Sequence, residues 1–227
     1  MSRDVSNSRR RYSVALGGVA LYLLLDAVAQ LLPPHYSPVS QAESDLAVGP
    51  FGFIMTLNFL NRGLLSLEFV FALLASVRLE GQKTSKLRAG LILFGVWSFG
   101  ALLLAVFPTD VPPTPVSWHG AIHLVVAVLV FLGGGFGALA LSLNLRGSPH
   151  LEGARNVALP LAVVCVLLCL AELLAPFSAP RFVAHYGGLL ERLFLGSVLL
   201  WIAATSAYML RRSPMPASTQ SGTAQSG

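Results

Sequence analysis

Two histidines four residues apart, His119 and His123, follow an aspartate, Asp110, in a stretch that reads FPTDVPPTPVSWHGAIH over residues 107–123. Residues four apart on a helix share one face, one turn apart, so the pair would present two imidazoles to a single point. Two neutral imidazoles and a carboxylate are the protein ligands of a catalytic zinc, with a fourth position left for a water that attacks a substrate. The gap holds Gly120-Ala121-Ile122, without the internal glutamate of a metalloprotease helix. The same spacing also serves histidines that exchange protons, bind a polar ligand or bond to backbone carbonyls. Zinc is the one cofactor this pattern admits.

The remaining chemistry-bearing residues stand inside apolar sequence: Asp26, Arg62, Glu68, Glu172, Glu191 and Arg192. A charge at bilayer depth costs about 2.5–3.5 kcal/mol on insertion scales, so such residues face a bundle interior or a wet cavity. Asn58 and Arg62 repeat the four-residue spacing and share a helix face. Glu191 and Arg192 are adjacent and point about 100° apart, so each is expected to pair with another helix. Asp26 is the expected partner of Arg62, and Glu172 or Asp110 that of Arg192. Isolated serines without a nucleophile-elbow turn supply no hydrolase signature.

The elements that must position these residues follow from composition. Of 227 residues 55% are hydrophobic and 11% charged, against about 25% charged in an average soluble domain. Apolar blocks run over Ser13–Leu32, Phe51–Val77, Leu87–Phe107, Trp118–Leu143, Val157–Phe177 and Gly187–Leu210, each near the roughly 20 residues that cross a bilayer. Proline and glycine punctuate the connections between them. The expected architecture is all-α, a polytopic six-transmembrane-helix bundle over residues 13–210, flanked by a basic N-terminus over 1–12 and a disordered tail over 211–227. Cys165 and Cys169 lie within one apolar block and read as core residues rather than a disulfide. Gly133-Gly134-Gly135 with Gly137 reads as a close helix–helix contact.

Orientation follows from Lys and Arg in the connections. With the N-terminus inside, the inner segments hold Arg3, Arg9, Arg10, Arg11, Arg78, Lys83, Lys86, Arg88, Arg146, Arg155, Arg211 and Arg212, while the outer connections hold Arg181 alone. Both termini are thus expected in the cytoplasm, in a plasma-membrane protein. The net charge of +5 serves orientation: no aromatic-interleaved basic patch exists, so no nucleic-acid partner is expected. SRRRYS at 8–13 resembles a twin-arginine signal, but Asp26 and the apolar run through Leu32 argue for a retained first helix.

This topology places the polar residues by depth. At about 1.5 Å per residue, Asp26 lies about 9 Å below the outer end of its helix, Glu172 within about 8 Å, Glu191 about 6 Å in, and Arg62 about 16 Å down. Glu68 belongs to the inner half. Acids and imidazoles from five helices thus converge on the outer leaflet, and an outward-facing polar pocket is expected from Asp26, Asn58, Arg62, Asp110, Glu172, Glu191 and Arg192, with His119 and His123.

The chain also resembles a family of six-helix prokaryotic membrane proteins grouped as domain of unknown function number nine hundred and ninety-eight. The resemblance rests on Ser44-Asp45-Leu46-Ala47-Val48-Gly49-Pro50, Asn58 and Gly63, Phe107-Pro108-Thr109-Asp110, His119 and His123, and Gly188-Leu189-Leu190-Glu191-Arg192 with Trp201. It covers about Tyr36 to Trp201 and implies six transmembrane helices without an activity. It adds Asp45 to the pocket candidates, where the family usually carries glutamate. Two functional classes follow: binding or transport of a small polar, anionic or lipid-headgroup ligand, and a metal-dependent hydrolase acting on lipid-like substrates at the outer interface. A third is a non-catalytic accessory subunit. Membrane lipids are the expected surroundings in each, and no oligomeric state is specified.

Overall fold

The computed structural model describes residues 2–34, 36–111 and 113–212. Among the described residues, six α-helices make up the fold: α1 (Ser2–Leu31), α2 (Gly52–Leu79), α3 (Arg88–Leu104), α4 (Trp118–Leu143), α5 (Pro149–Ser178) and α6 (Pro180–Arg212). All six spans are long and apolar enough to cross a membrane. Two short 3-10 segments join them, Glu43–Ala47 and Thr84–Leu87. The second lengthens a short element: α3 has 17 residues, about 26 Å of helix, short of the roughly 30 Å hydrocarbon core.

The helices alternate in direction, and each packs on its neighbour in sequence; α6 returns against α1 to close a ring. One end carries both described chain ends with the 80–87 and 144–148 connections. The other carries the 32–51 and 105–117 connections and the tight α5–α6 corner at Ala179. The ring is filled by aromatic side chains: Trp201 stacks edge-on against Phe69 at 5.0 Å and lies 5.2 Å from Phe94. Both buried indoles find acceptors, Trp97 donating to Ser66 and Trp201 to Ser142 at 2.9 Å each. In a lipid-bounded interior no water could otherwise satisfy them.

Helix α4 begins and ends where the apolar run does. Others run past it: α1 starts at Ser2, α5 at Pro149 and α6 at Pro180. Hydropathy marks the part of a helix that meets lipid, whereas backbone hydrogen bonding continues as long as caps and propensity allow. At α5 the cap is explicit, with Ser148 Oγ accepting from the Leu151 N–H at 3.2 Å and Pro149 at the first helical position. Pro112 and the tail from residue 213 onward, including the expected disorder there, lie outside the described residues.

The glycine run does bring two helices close. A Cβ on Gly133 would stand 2.5 Å from the Leu93 carbonyl oxygen, and one on Gly137 2.7 Å from the Phe94 nitrogen, so α3 and α4 touch through backbone. Cys165 and Cys169 are free and buried.

Candidate functional site

At the end of the bundle opposite the described termini, the connection between α1 and α2 folds down from Tyr36 onward over α1, α2 and α6. Arg192 holds it there. Its guanidinium donates to the carbonyls of Pro38 (3.0 Å), Gln41 (3.1 Å) and Gly188 (3.1 Å), and to the Tyr36 hydroxyl, with the Tyr36 ring 5.6 Å away. Tyr36 donates in turn to the Ala42 carbonyl at 2.8 Å, and the Leu189 N–H reaches the Val39 carbonyl at 2.9 Å. Gly188 is required at this contact: a Cβ there would lie 2.0 Å from the Gln41 carbonyl oxygen. Arg192 therefore serves the backbone of the connection and pairs with neither Glu172 nor Asp110. The reason is geometric, since five N–H donors in a fixed fork match a cluster of carbonyls that the folded connection presents together.

Docking carries Glu43 inward, to 2% exposure. Its carboxylate accepts from the Tyr22 hydroxyl of α1, and its backbone N–H donates to Glu191 Oε2 of α6 at 2.9 Å. Burial pushes the Glu43 carboxyl up to about 8, reinforced by the negative charges of Asp26 and Glu191. Burial also raises Tyr36, to about 12, and raises Asp45 on the same connection. Neither Glu43 nor Tyr22 stands out in the sequence: a glutamate in a polar connection ordinarily points to water, and a tyrosine in an apolar helix ordinarily fills space.

Arg62 lies below this layer. It is 1% exposed, its guanidinium carbon 5.3 Å from the centre of the Phe59 ring and 4.9 Å from that of Trp97. Asp26 does not pair with it, because Asp26 Oδ2 accepts from Gln30 one turn along α1 and the aromatic pair holds the guanidinium in α2–α3. Arg62 Nε and Nη2 are buried without any hydrogen-bond partner. Asn58, one turn before, donates to the Tyr22 carbonyl at 3.3 Å and leaves its own Oδ1 without a donor. Asp26 Oδ1 is in the same condition, as is Glu172 Oε2 of α5.

Asp110, His119 and His123 shape the neighbouring connection. Asp110 accepts from the Ser117 N–H (2.6 Å) and Oγ–H (2.9 Å), and Ser117 Oγ caps α4 by accepting from the Gly120 N–H at 3.1 Å. Gly120 makes room for that carboxylate, since a Cβ would lie 2.0 Å from Asp110 Oδ2. His123 Nδ1 bonds the Phe107 carbonyl at 2.7 Å, with its ring 6.3 Å from Phe59. The His119 ring lies tilted against Trp118, ring centroids 3.4 Å and planes 31° apart. Among the described residues no three His, Cys, Asp or Glu side chains converge as a metal-holding group. Glu68, at the other end, is paired with Arg11 at 2.7 Å.

The structure thus gathers Asp26, Asn58, Arg62, Glu191 and Arg192 around the Tyr22–Glu43 contact, with Asp45 and Glu172 at the margin. The architecture and this buried polar layer are those of a multi-pass, six-helix membrane protein. The family described as "Protein of unknown function (DUF998)" matches residues 16–208, and the chain belongs to it. No curated protein and no solved structure matches the chain.

Proposed function

We propose that the protein binds, or carries across the bilayer, a small anionic or lipid-headgroup ligand that enters from the end that carries the α1–α2 connection. The reading takes both termini as cytoplasmic and the membrane as the plasma membrane, which turns that end outward. The observation that carries it is Arg62. A buried guanidinium among apolar helices is stabilised by a counter-ion and by acceptors for its N–H groups, yet here Nε and Nη2 are open and the nearest rings, Phe59 and Trp97, lie 5.3 Å and 4.9 Å away. An anion arriving at the open edge supplies both requirements. The hydrolase reading on His119, His123 and Asp110 has less behind it, because Asp110 and His123 Nδ1 already hold the α3–α4 connection.

The test is thermal unfolding of detergent-purified protein with inorganic phosphate, acetate, glycerol phosphate and phosphatidylglycerol. At least one of these anions is expected to raise the wild-type midpoint and to leave Arg62→Gln unmoved. Equal responses from wild type and Arg62→Gln, or no response from wild type, would overturn the reading.

A further inference from the structure

The open atoms around Tyr22 are of two opposite kinds, and both are buried. On the donor side, Arg62 offers Nε and Nη2. These N–H groups lie along one edge of the guanidinium and point in parallel, the edge that grips two oxygens of a carboxylate or phosphate side-on. Phe59 and Trp97 lie against the same guanidinium, and this edge is the one with both donors buried and open.

On the acceptor side stand Asn58 Oδ1 and Asp26 Oδ1. The assignment at Asn58 is fixed by its neighbour: the Tyr22 carbonyl can only accept, so the amide nitrogen faces it and Oδ1 is the open atom. Asn58 sits one helical turn from Arg62 on the same face of α2, and Asp26 one turn from Tyr22 on the same face of α1. Tyr22 ties the two faces together, its carbonyl accepting from Asn58 and its hydroxyl donating to Glu43, and Asp26 and Arg62 both act electrostatically on Glu43. The other two carboxylates there are engaged, Glu43 by the Tyr22 hydroxyl and Glu191 by the Glu43 N–H. Arg192 gives Nη1 to carbonyls and Nη2 to Tyr36, which leaves its Nε open toward the 33–51 connection side of the layer, and Glu172 Oε2 is open on α5 at the margin. On the α1–α2 side, next to Tyr22, one open cationic edge at Arg62 and one open carboxylate oxygen at Asp26 remain, with the Asn58 amide oxygen beside them.

Building on the anion-binding reading, we infer that the ligand is a compact zwitterion: an oxyanion on the Arg62 edge joined through a few atoms to an ammonium group that donates to Asp26 and Asn58. A simple anion would satisfy Arg62 and leave two buried acceptors without donors, whereas an amine-bearing oxyanion satisfies all of them. An aminoalkyl phosphate, an amino acid and the headgroup of an aminophospholipid share this chemistry.

Binding to detergent-purified full-length protein, measured calorimetrically with two matched pairs of probes, tests the assignment. The pairs are phosphoethanolamine against glycerol phosphate, and β-alanine against propionate. In at least one pair the amine-bearing member is expected to bind about tenfold more tightly, corresponding to about 1.4 kcal/mol. Asp26→Asn should abolish that preference while keeping the affinity for the simple anion, and Arg62→Gln should lose both members. Nanodiscs separate the sources: competition by phosphatidylethanolamine but not phosphatidylglycerol identifies a lipid headgroup, and competition by neither identifies a free solute. Equal affinities within both pairs, with binding still dependent on Arg62, would overturn the zwitterion and leave the anion site standing. Binding unaffected by Arg62→Gln would overturn both. The comparison within each pair uses wild-type protein alone and holds however the variants fold.

Discussion

At the scale of single residues, Glu43 shows how a tertiary contact changes a side chain's chemistry. Its neighbours come from every element packed on it: Tyr22 and Asp26 from α1, Arg62 from α2, and Glu191 from α6. Burial holds the carboxyl protonated up to about 8 in the folded protein, against an ordinary value of 4.5. Between those two values the folded state binds a proton that the unfolded chain has released, so this group's contribution to stability falls as pH rises from about 5 to about 8. Thermal unfolding in detergent across that range should show the wild-type midpoint dropping by at least about 2–4 °C, equivalent to about 1 kcal/mol in a chain of this size. Glu43→Gln, which keeps an acceptor for Tyr22 and cannot ionise, should show a flatter dependence. An unchanged slope in the variant would assign the pH response to other groups.

At the scale of elements, two close approaches decide how the helices and the α1–α2 connection fit. The α3–α4 contact runs through Gly133 and Gly137, where added atoms meet backbone rather than movable side chains. Gly137→Leu should destabilise by about 1–3 kcal/mol or more, as overpacking does, and lower the unfolding midpoint in any buffer. Gly188 has a different consequence, because the atom it admits belongs to the 33–51 connection. Gly188→Val should lift that connection without unfolding the ring, and a cysteine at Ser44 would then react faster with a thiol reagent than it does beside Gly188. An equal rate would mean that the Arg192 contacts hold the connection without the close approach.

At the scale of the molecule, a closed ring of six alternating helices sets which loops share a side. A membrane-impermeant thiol reagent applied to intact cells should label a cysteine at the exposed Thr114 and spare one at the exposed Ser85, with Cys165 and Cys169 first replaced by alanine. The opposite pattern would invert the orientation and put the end that carries the α1–α2 connection toward the cytoplasm. The lipid-facing surface carries apolar side chains such as Phe99, Leu124 and Leu167, as a bilayer requires.

The sequence by itself determined six apolar helices, the bounds of α4, the shared face of Asn58 and Arg62, and the glycine contact of α4. These are local properties: apolar length over about 20 residues and the 3.6-residue period are written along the chain. The tertiary structure alone decided the partners. It gave Arg62 two aromatic neighbours and no carboxylate, gave Arg192 backbone carbonyls, turned Asp110 into a brace for a helix cap, and drew Glu43 out of a polar connection into the interior. Which group meets which depends on how helices distant in sequence face one another and how far each side chain reaches, and no periodicity records it. The open atoms at Arg62, Asn58 and Asp26 are what those contacts leave over.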